Sequence, residues 1–149
     1  MCCEELQGLL MRFRFPFLLI LLFLSATSFA ESMDDLVKRK GLYYKKFTDV
    51  PFTGEIDQGW EQGSIKNGRR VGTWRLYYSD GGLWYRGAYD EKTQWRDGLW
   101  VGYWSNGQLW MKGEYRNGMG EGYWEVYHQD GSVNRGMTGT YKNGQKISD

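Results

Sequence analysis

At 149 residues, with 41% hydrophobic and 25% charged side chains, the chain is sized for one ordinary domain and excludes both a disordered chain and a multi-span membrane protein. Lys and Arg number 19 against 18 Asp and Glu, so the net charge of +1 supplies no long-range field to steer nucleic acid or anionic lipid, and the clusters Lys38-Arg39-Lys40 and Arg69-Arg70 read as solvated faces. The chain has 21 glycines, 17% aromatics and only 2 prolines, a mixture that favours many tight turns joining strands.

The first predicted element is an export signal. Phe15 to Leu24 is an almost unbroken apolar run of about ten residues, short of the ~20 that a membrane-spanning helix needs. Arg12 and Arg14 precede it, Ser25 to Ala30 follow it, and Ser28 and Ala30 are the small residues that a signal peptidase requires. Residues 1–30 are therefore expected to be a signal peptide cleaved after Ala30, which places the mature chain in the periplasm or outside the cell; the competing reading is an uncleaved anchor. Glu4 and Glu5 do not suit a basic leader, and Met11 is the better start. Both cysteines, Cys2 and Cys3, lie in this leader, so the mature chain has no disulfide and no thiolate metal site.

Residues 31–53 carry no turn pairs and are expected to form an N-terminal cap. Within them Met33 to Lys40 is predicted as a short helix, with Ser32 as N-cap and Asp35 three residues on. Residues 54–147 are a repeat region of about four units. One motif, Gly followed two residues on by a large residue, recurs as Gly54-Glu55-Ile56, Gly87-Ala88-Tyr89, Gly113-Glu114-Tyr115 and Gly139-Thr140-Tyr141, at intervals of 33, 26 and 26. A second interleaves with it as Gly72-Thr73-Trp74, Gly102-Tyr103-Trp104 and Gly122-Tyr123-Trp124, with Tyr77 and Tyr127 three residues beyond two of them. Seven Asn-Gly or Asp-Gly pairs, ending at Gly68, Gly81, Gly98, Gly107, Gly118, Gly131 and Gly144, separate the segments. Such pairs suit tight hairpins whose two central residues both need positive φ.

The segments alternate as strands do. Leu83, Tyr85, Gly87 and Tyr89 share one face, and Leu109, Met111, Gly113 and Tyr115 repeat the pattern. Large residues occur on both faces. The predicted fold is all-β: an elongated, twisted antiparallel sheet of tandem β-hairpin repeats, in which neighbours bury what one hairpin cannot. The insertion Glu91 to Trp95 and the short link Trp104 to Gly107 predict one longer loop and one clipped strand.

The stretches Asn67 to Tyr78, Asn106 to Gly118, Glu121 to Tyr127 and Asp130 to Gly144, with the lead-in Leu36 to Gly54, resemble the variant MORN repeat of bacterial proteins over residues 36–147. The resemblance implies a non-enzymatic scaffold that binds protein or lipid. It extends to the YwqK-type antitoxin family, whose role is to neutralise a partner; with the leader, this implies an exported immunity-like or envelope function.

No catalytic or metal-binding constellation emerges from the sequence. His128 is the only histidine, the carboxylates Glu114, Glu121 and Glu125 sit at ordinary strand and turn positions, and the Asp-Gly pairs lack the flanking acids of a calcium loop. No cofactor and no nucleic acid partner is expected. The remaining candidates are the aromatics Trp74, Tyr77, Trp84, Tyr85, Tyr103, Trp104, Trp110, Tyr123 and Trp124. They read either as the packing of a thin sheet or as an exposed row that binds a protein, with a cell-wall glycan or membrane surface as the alternative.

Overall fold

The computed structural model describes residues 31–149; the expected signal peptide, its cleavage at Ala30 and the start at Met11 lie outside the described residues. Among the described residues eleven strands follow one another: β1 (Leu36–Arg39), β2 (Leu42–Lys45), β3 (Gly54–Ile56), β4 (Glu61–Lys66), β5 (Arg69–Tyr77), β6 (Leu83–Tyr89), β7 (Arg96–Tyr103), β8 (Leu109–Arg116), β9 (Met119–Val126), β10 (Gly139–Lys142) and β11 (Gln145–Ser148). Strands β3 to β11 form one antiparallel sheet in unbroken sequence order, and β1 with β2 forms a separate hairpin. This is the predicted all-β meander of hairpins. Among the described residues no helix is long and apolar enough to cross a membrane.

The two margins of the ribbon use different turn chemistry. At Asn67-Gly68, Asn117-Gly118 and Asn143-Gly144 both residues have positive φ, near 50° and 77°, the geometry expected of a two-residue hairpin turn. At the opposite margin only Gly81, Gly107 and Gly131 have positive φ. There Asp80, Asn106 and Asp130 each accept a hydrogen bond from the backbone N–H two residues on, which makes a three-residue turn. Asp97-Gly98 is not a turn: it lies inside β7, and Gly98 marks a bulge.

That bulge recurs and sets the true register of the repeat. Gly63 alone faces Gly72, Thr73 and Trp74; Gly87 faces Gly98, Leu99 and Trp100; Gly113 faces Gly122, Tyr123 and Trp124. The excess residues lay each indole flat over the bare backbone opposite. A Cβ at Gly63, Gly87 or Gly113 would stand 2.6, 2.2 or 2.2 Å from the ring of Trp74, Trp100 or Trp124. The glycine series is thus Gly63, Gly87, Gly113 and Gly139. Gly54-Glu55-Ile56 belongs instead with the Gly-x-Trp series, Ile56 pairing with Gly63 as Trp74 pairs with Gly87. The middle member of that series is Gly98-Leu99-Trp100 rather than Gly102-Tyr103-Trp104.

The N-terminal segment does cap the array, but not as the predicted helix. Ser32 and Asp35 form the expected reciprocal capping box, yet it closes only a single 3-10 turn at Met33–Asp35. From Leu36 the chain is extended, because Lys40-Gly41 adopts the same positive-φ hairpin turn as the Asn-Gly pairs. Leu36 is buried, with Met33, Tyr43 and Phe52 packed against the same core as Ile56 and Ile65. Tyr43 N donates to Gly68 O and Gly68 N to Phe52 O, tying this cap to the first repeat turn.

The insertion between β6 and β7 forms the predicted longer loop. Asp90 Oδ1 accepts from the N–H groups of Lys92 and Thr93, and Gln94 turns back over β5. In regular units the turn glycine donates to the neighbouring strand, Gly118 N to Arg96 O and Gly144 N to Gly120 O. Here the Gln94 amide takes that place, donating to Arg70 O at 3.1 Å and accepting from Arg70 N at 2.7 Å. No strand is clipped: β7 and β8 both have eight residues, and the short link after Trp104 is one of the three-residue turns.

The indole-on-glycine contact predicts a sharp asymmetry among glycines. Gly87→Ala should lower unfolding free energy by about 3 kcal/mol through overpacking against Trp100. Gly81→Ala, with open space around its Cβ, should cost only the about 1–2 kcal/mol of a left-handed alanine. Urea denaturation of the two variants checks the ordering.

Candidate binding site

Six rings alternate along the core. Trp74, Tyr89, Trp100, Tyr115, Trp124 and Tyr141 make consecutive edge-to-face contacts, with centroid separations of 6.5, 5.2, 6.1, 4.9 and 6.1 Å. Each tryptophan comes from a bulge and each tyrosine from the Gly-x-Tyr of the next unit, so the ladder crosses every repeat boundary. Edge-to-face pairs of this kind contribute about 0.5–1.5 kcal/mol each beyond buried area.

Two arginines are built into the ladder. The Arg70 guanidinium stands 4.4 Å from the Trp74 ring centroid, 5.0 Å from Tyr89 and 5.6 Å from Tyr43. Arg96 stands 4.4 Å from Trp100, 5.3 Å from Tyr85 and 5.5 Å from Tyr115. Arg70 also pairs with Glu61, both side chains about seven-eighths buried, and Arg96 Nη1 donates to Tyr115 Oη at 3.3 Å. Arg70 is therefore not part of a solvated basic face. Each arginine lies four residues before its tryptophan, in Arg70-Val71-Gly72-Thr73-Trp74 and Arg96-Asp97-Gly98-Leu99-Trp100. The third unit reads Gly120-Glu121-Gly122-Tyr123-Trp124.

The nine candidate aromatics do not form one exposed row. Trp74, Tyr85 and Trp124 are buried; Tyr77, Trp84, Tyr103, Trp104 and Trp110 are half-buried; Tyr123 alone is exposed. Tyr78, Trp84, Tyr85, Trp110 and Trp104 form a second chain of rings near the three-residue turns, with neighbouring centroids 4.6–5.6 Å apart. Their polar ends are used across repeats: Tyr78 Oη donates to Tyr103 O at 2.8 Å and Trp104 Nε1 to Tyr127 O at 3.1 Å. Burial holds the Tyr85 phenol in its neutral form and pushes its pKa up to about 12, against the opposing pull of Arg96.

The face of the sheet opposite the ladder is open. The middle residues of the bulge motifs, Thr73, Leu99 and Tyr123, project there, and Leu99 and Tyr123 are 51% and 57% exposed. Arg75, Arg86, Lys112 and Glu114 share this face and are exposed. Glu114 and Glu121 are register partners, and Glu121 Oε2 accepts from Asn143 N, so Glu121 serves the next turn. His128 is exposed beside a turn. Among the described residues no group of His, Cys, Asp or Glu is placed to hold a metal ion.

Sequence reasoning missed Trp100, Arg70, Arg96 and Gly120. The signal that finds them is the five-residue spelling aligned on its tryptophan, visible only once the repeat register is known.

Two measurements follow from this arrangement. Arg70→Met, which leaves Glu61 half of a buried pair, should cost about 3 kcal/mol in urea denaturation, against about 1 kcal/mol for Arg96→Met, which loses ring contacts and a hydrogen bond to a neutral phenol. Because the folded Tyr85 pKa lies above the ordinary value of about 10, its contribution is complete below pH 10 and lost as pH rises through 12. The urea midpoint should fall across that interval, and less steeply in Tyr85→Phe.

No curated protein and no solved structure gives a significant match to the chain. The family model of the MORN repeat variant matches two adjacent segments, residues 70–91 and 96–117. Each begins on one of the caged arginines and runs through the bulge tryptophan into the following strand. Two adjacent segments of the chain thus match the MORN repeat variant, within a sheet that continues the same geometry on both sides.

Proposed function

We propose that this chain is a non-catalytic, exported scaffold that binds another protein, in the manner of an antitoxin or immunity partner. The observation that carries this reading is the division of labour between the two sheet faces. One face is covered by its own ring ladder and, over the first two units, by arginines. The other is left open, with exposed Leu99 and Tyr123 set among charges of both signs. A mixed apolar and charged surface on a rigid sheet suits a polypeptide partner. The apolar run before Ala30 supports export. The alternative, a glycan or membrane surface read by aromatic rows, has less to use, since only Tyr123 of the nine candidate aromatics is exposed.

The full chain, with its own leader and a C-terminal tag, is expressed in its native host, crosslinked and purified from the envelope. The expected result is one stoichiometric protein partner, lost when Leu99 and Tyr123 are both changed to Ser. Retention on cell-wall or lipid fractions without a protein partner would overturn the proposal in favour of the alternative.

A further inference from the structure

The third repeat keeps the tryptophan and the following tyrosine that hold an arginine in the first two, has Met111 in the place of Tyr85, and supplies no arginine. Gly120 stands where Arg70 and Arg96 stand, four residues before Trp124. Among the described residues, cations lie over Trp74 and Trp100 but not over Trp124. A cleft of about 370 Å³ opens there instead, walled by Trp110, Tyr115, Trp124 and Tyr141, with Met119 and Met137 at its sides.

The cleft keeps two of the three rings that hold a guanidinium in the second unit, with Trp124 and Tyr141 in the places of Trp100 and Tyr115 and Met111 in that of Tyr85. Tyr115 and Tyr141 flank Trp124 with centroids 4.9 and 6.1 Å away, as Tyr89 and Tyr115 flank Trp100 at 5.2 and 6.1 Å. Tyr115 Oη accepts from Arg96 Nη1 in the second unit. Its counterpart, Tyr141 Oη, donates its proton to Met137 O at 2.7 Å and keeps its acceptor capacity. Trp124 Nε1 is buried without a hydrogen-bond partner, as Trp74 Nε1 is in the first unit, and a Cβ at Gly120 would stand 3.2 Å from it, a tight contact that a small shift of the indole relieves. Gly120 is not in the left-handed region, so its backbone has the same freedom to carry a side chain as its counterparts.

We propose that the cleft over Trp124 is a binding site for an arginine side chain presented by a partner polypeptide. The guanidinium stacks on the Trp124 indole against Tyr141, as Arg96 stacks on Trp100 against Tyr115 and Arg70 on Trp74 against Tyr89. An arginine side chain is favoured over a quaternary ammonium headgroup because a planar guanidinium can donate to Tyr141 Oη, which a methylated ammonium cannot. This inference names the partner chemistry for the protein-binding reading and rests on that reading for its biological source.

The test is an NMR titration of the 15N-labelled full chain with a capped Gly-Arg-Gly peptide and with its lysine and norleucine counterparts. Saturable shifts of the Trp124 indole N–H and of the Gly118 and Gly120 amides are expected with the arginine peptide. The lysine and norleucine peptides should bind at least about tenfold more weakly, a difference well within the range of cation–ring stacking and its lost hydrogen bond. Gly120→Arg should fill the cage from within, raise the melting temperature and abolish the shifts. Equal binding of norleucine, displacement of the arginine peptide by stoichiometric tetramethylammonium, or unchanged shifts in a folded Gly120→Arg each overturn the proposal. The selectivity of the unaltered chain is measured first, so the result does not depend on that variant folding. A native partner captured equally by the unaltered chain and by Gly120→Arg would sink the arginine site and leave the protein-binding reading standing. Arginine-peptide binding with no captured partner would do the reverse.

Discussion

The whole array depends on one contact: an indole laid flat on a strand that has no side chain beneath it. A single antiparallel layer has little interior to offer, and a ring as large as tryptophan finds room only where the opposing residue is glycine and the bulge adds length to its own strand. Gly87 answers to both neighbours, lying beneath Trp100 and pairing with Trp74. Strand register follows from this, because a slip of one residue would put a Cβ into a ring. The glycines that matter most are thus defined by the space their missing side chains leave.

The arginines solve a second problem of thin sheets. Their planar heads continue the stack of rings while their stems cover apolar edges, so charge and packing come from the same residue. In the first unit the charge is countered by Glu61, and in the second the guanidinium donates to a neutral phenol oxygen. The series is ordered from a fully countered cation, through a hydrogen-bonded one, to a position with none. The N-terminal end is closed by its own hairpin and Tyr43, whereas the third unit leaves its cage accessible from outside.

Much of the fold was legible in the sequence because its turns are spelled out. Asn67-Gly68, Asn117-Gly118 and Asn143-Gly144 announce hairpins, and Ser32 with Asp35 announces a cap. Register was less legible. Gly98-Leu99-Trp100 and Gly102-Tyr103-Trp104 share one spelling within seven residues, and only pairing with Gly87 decides which tryptophan lies over a glycine. Asp97-Gly98 looked like a turn because the insertion had moved the true turn upstream, to Asp90–Trp95. The predicted helix from Met33 failed because one turn of capping cannot outweigh a β-hairpin whose strands meet at Lys40-Gly41. For the candidate site, aromatic abundance pointed to the right chemistry but not the right residues. Burial and cage formation are properties of aligned units, and a glycine in place of an arginine means nothing until its counterparts are known.

The Gln94 side chain has an implication for how such arrays change length. By reproducing with an amide group the hydrogen bond that a turn glycine makes elsewhere, it lets the connection between β6 and β7 grow while the bond at Arg70 O is kept. The ladder is indifferent to what happens at that margin, since its rings lie on the strands. New loops can therefore be acquired along one border of the ribbon, each secured by a single well-placed amide, and the sheet gains variable surface without renegotiating its core.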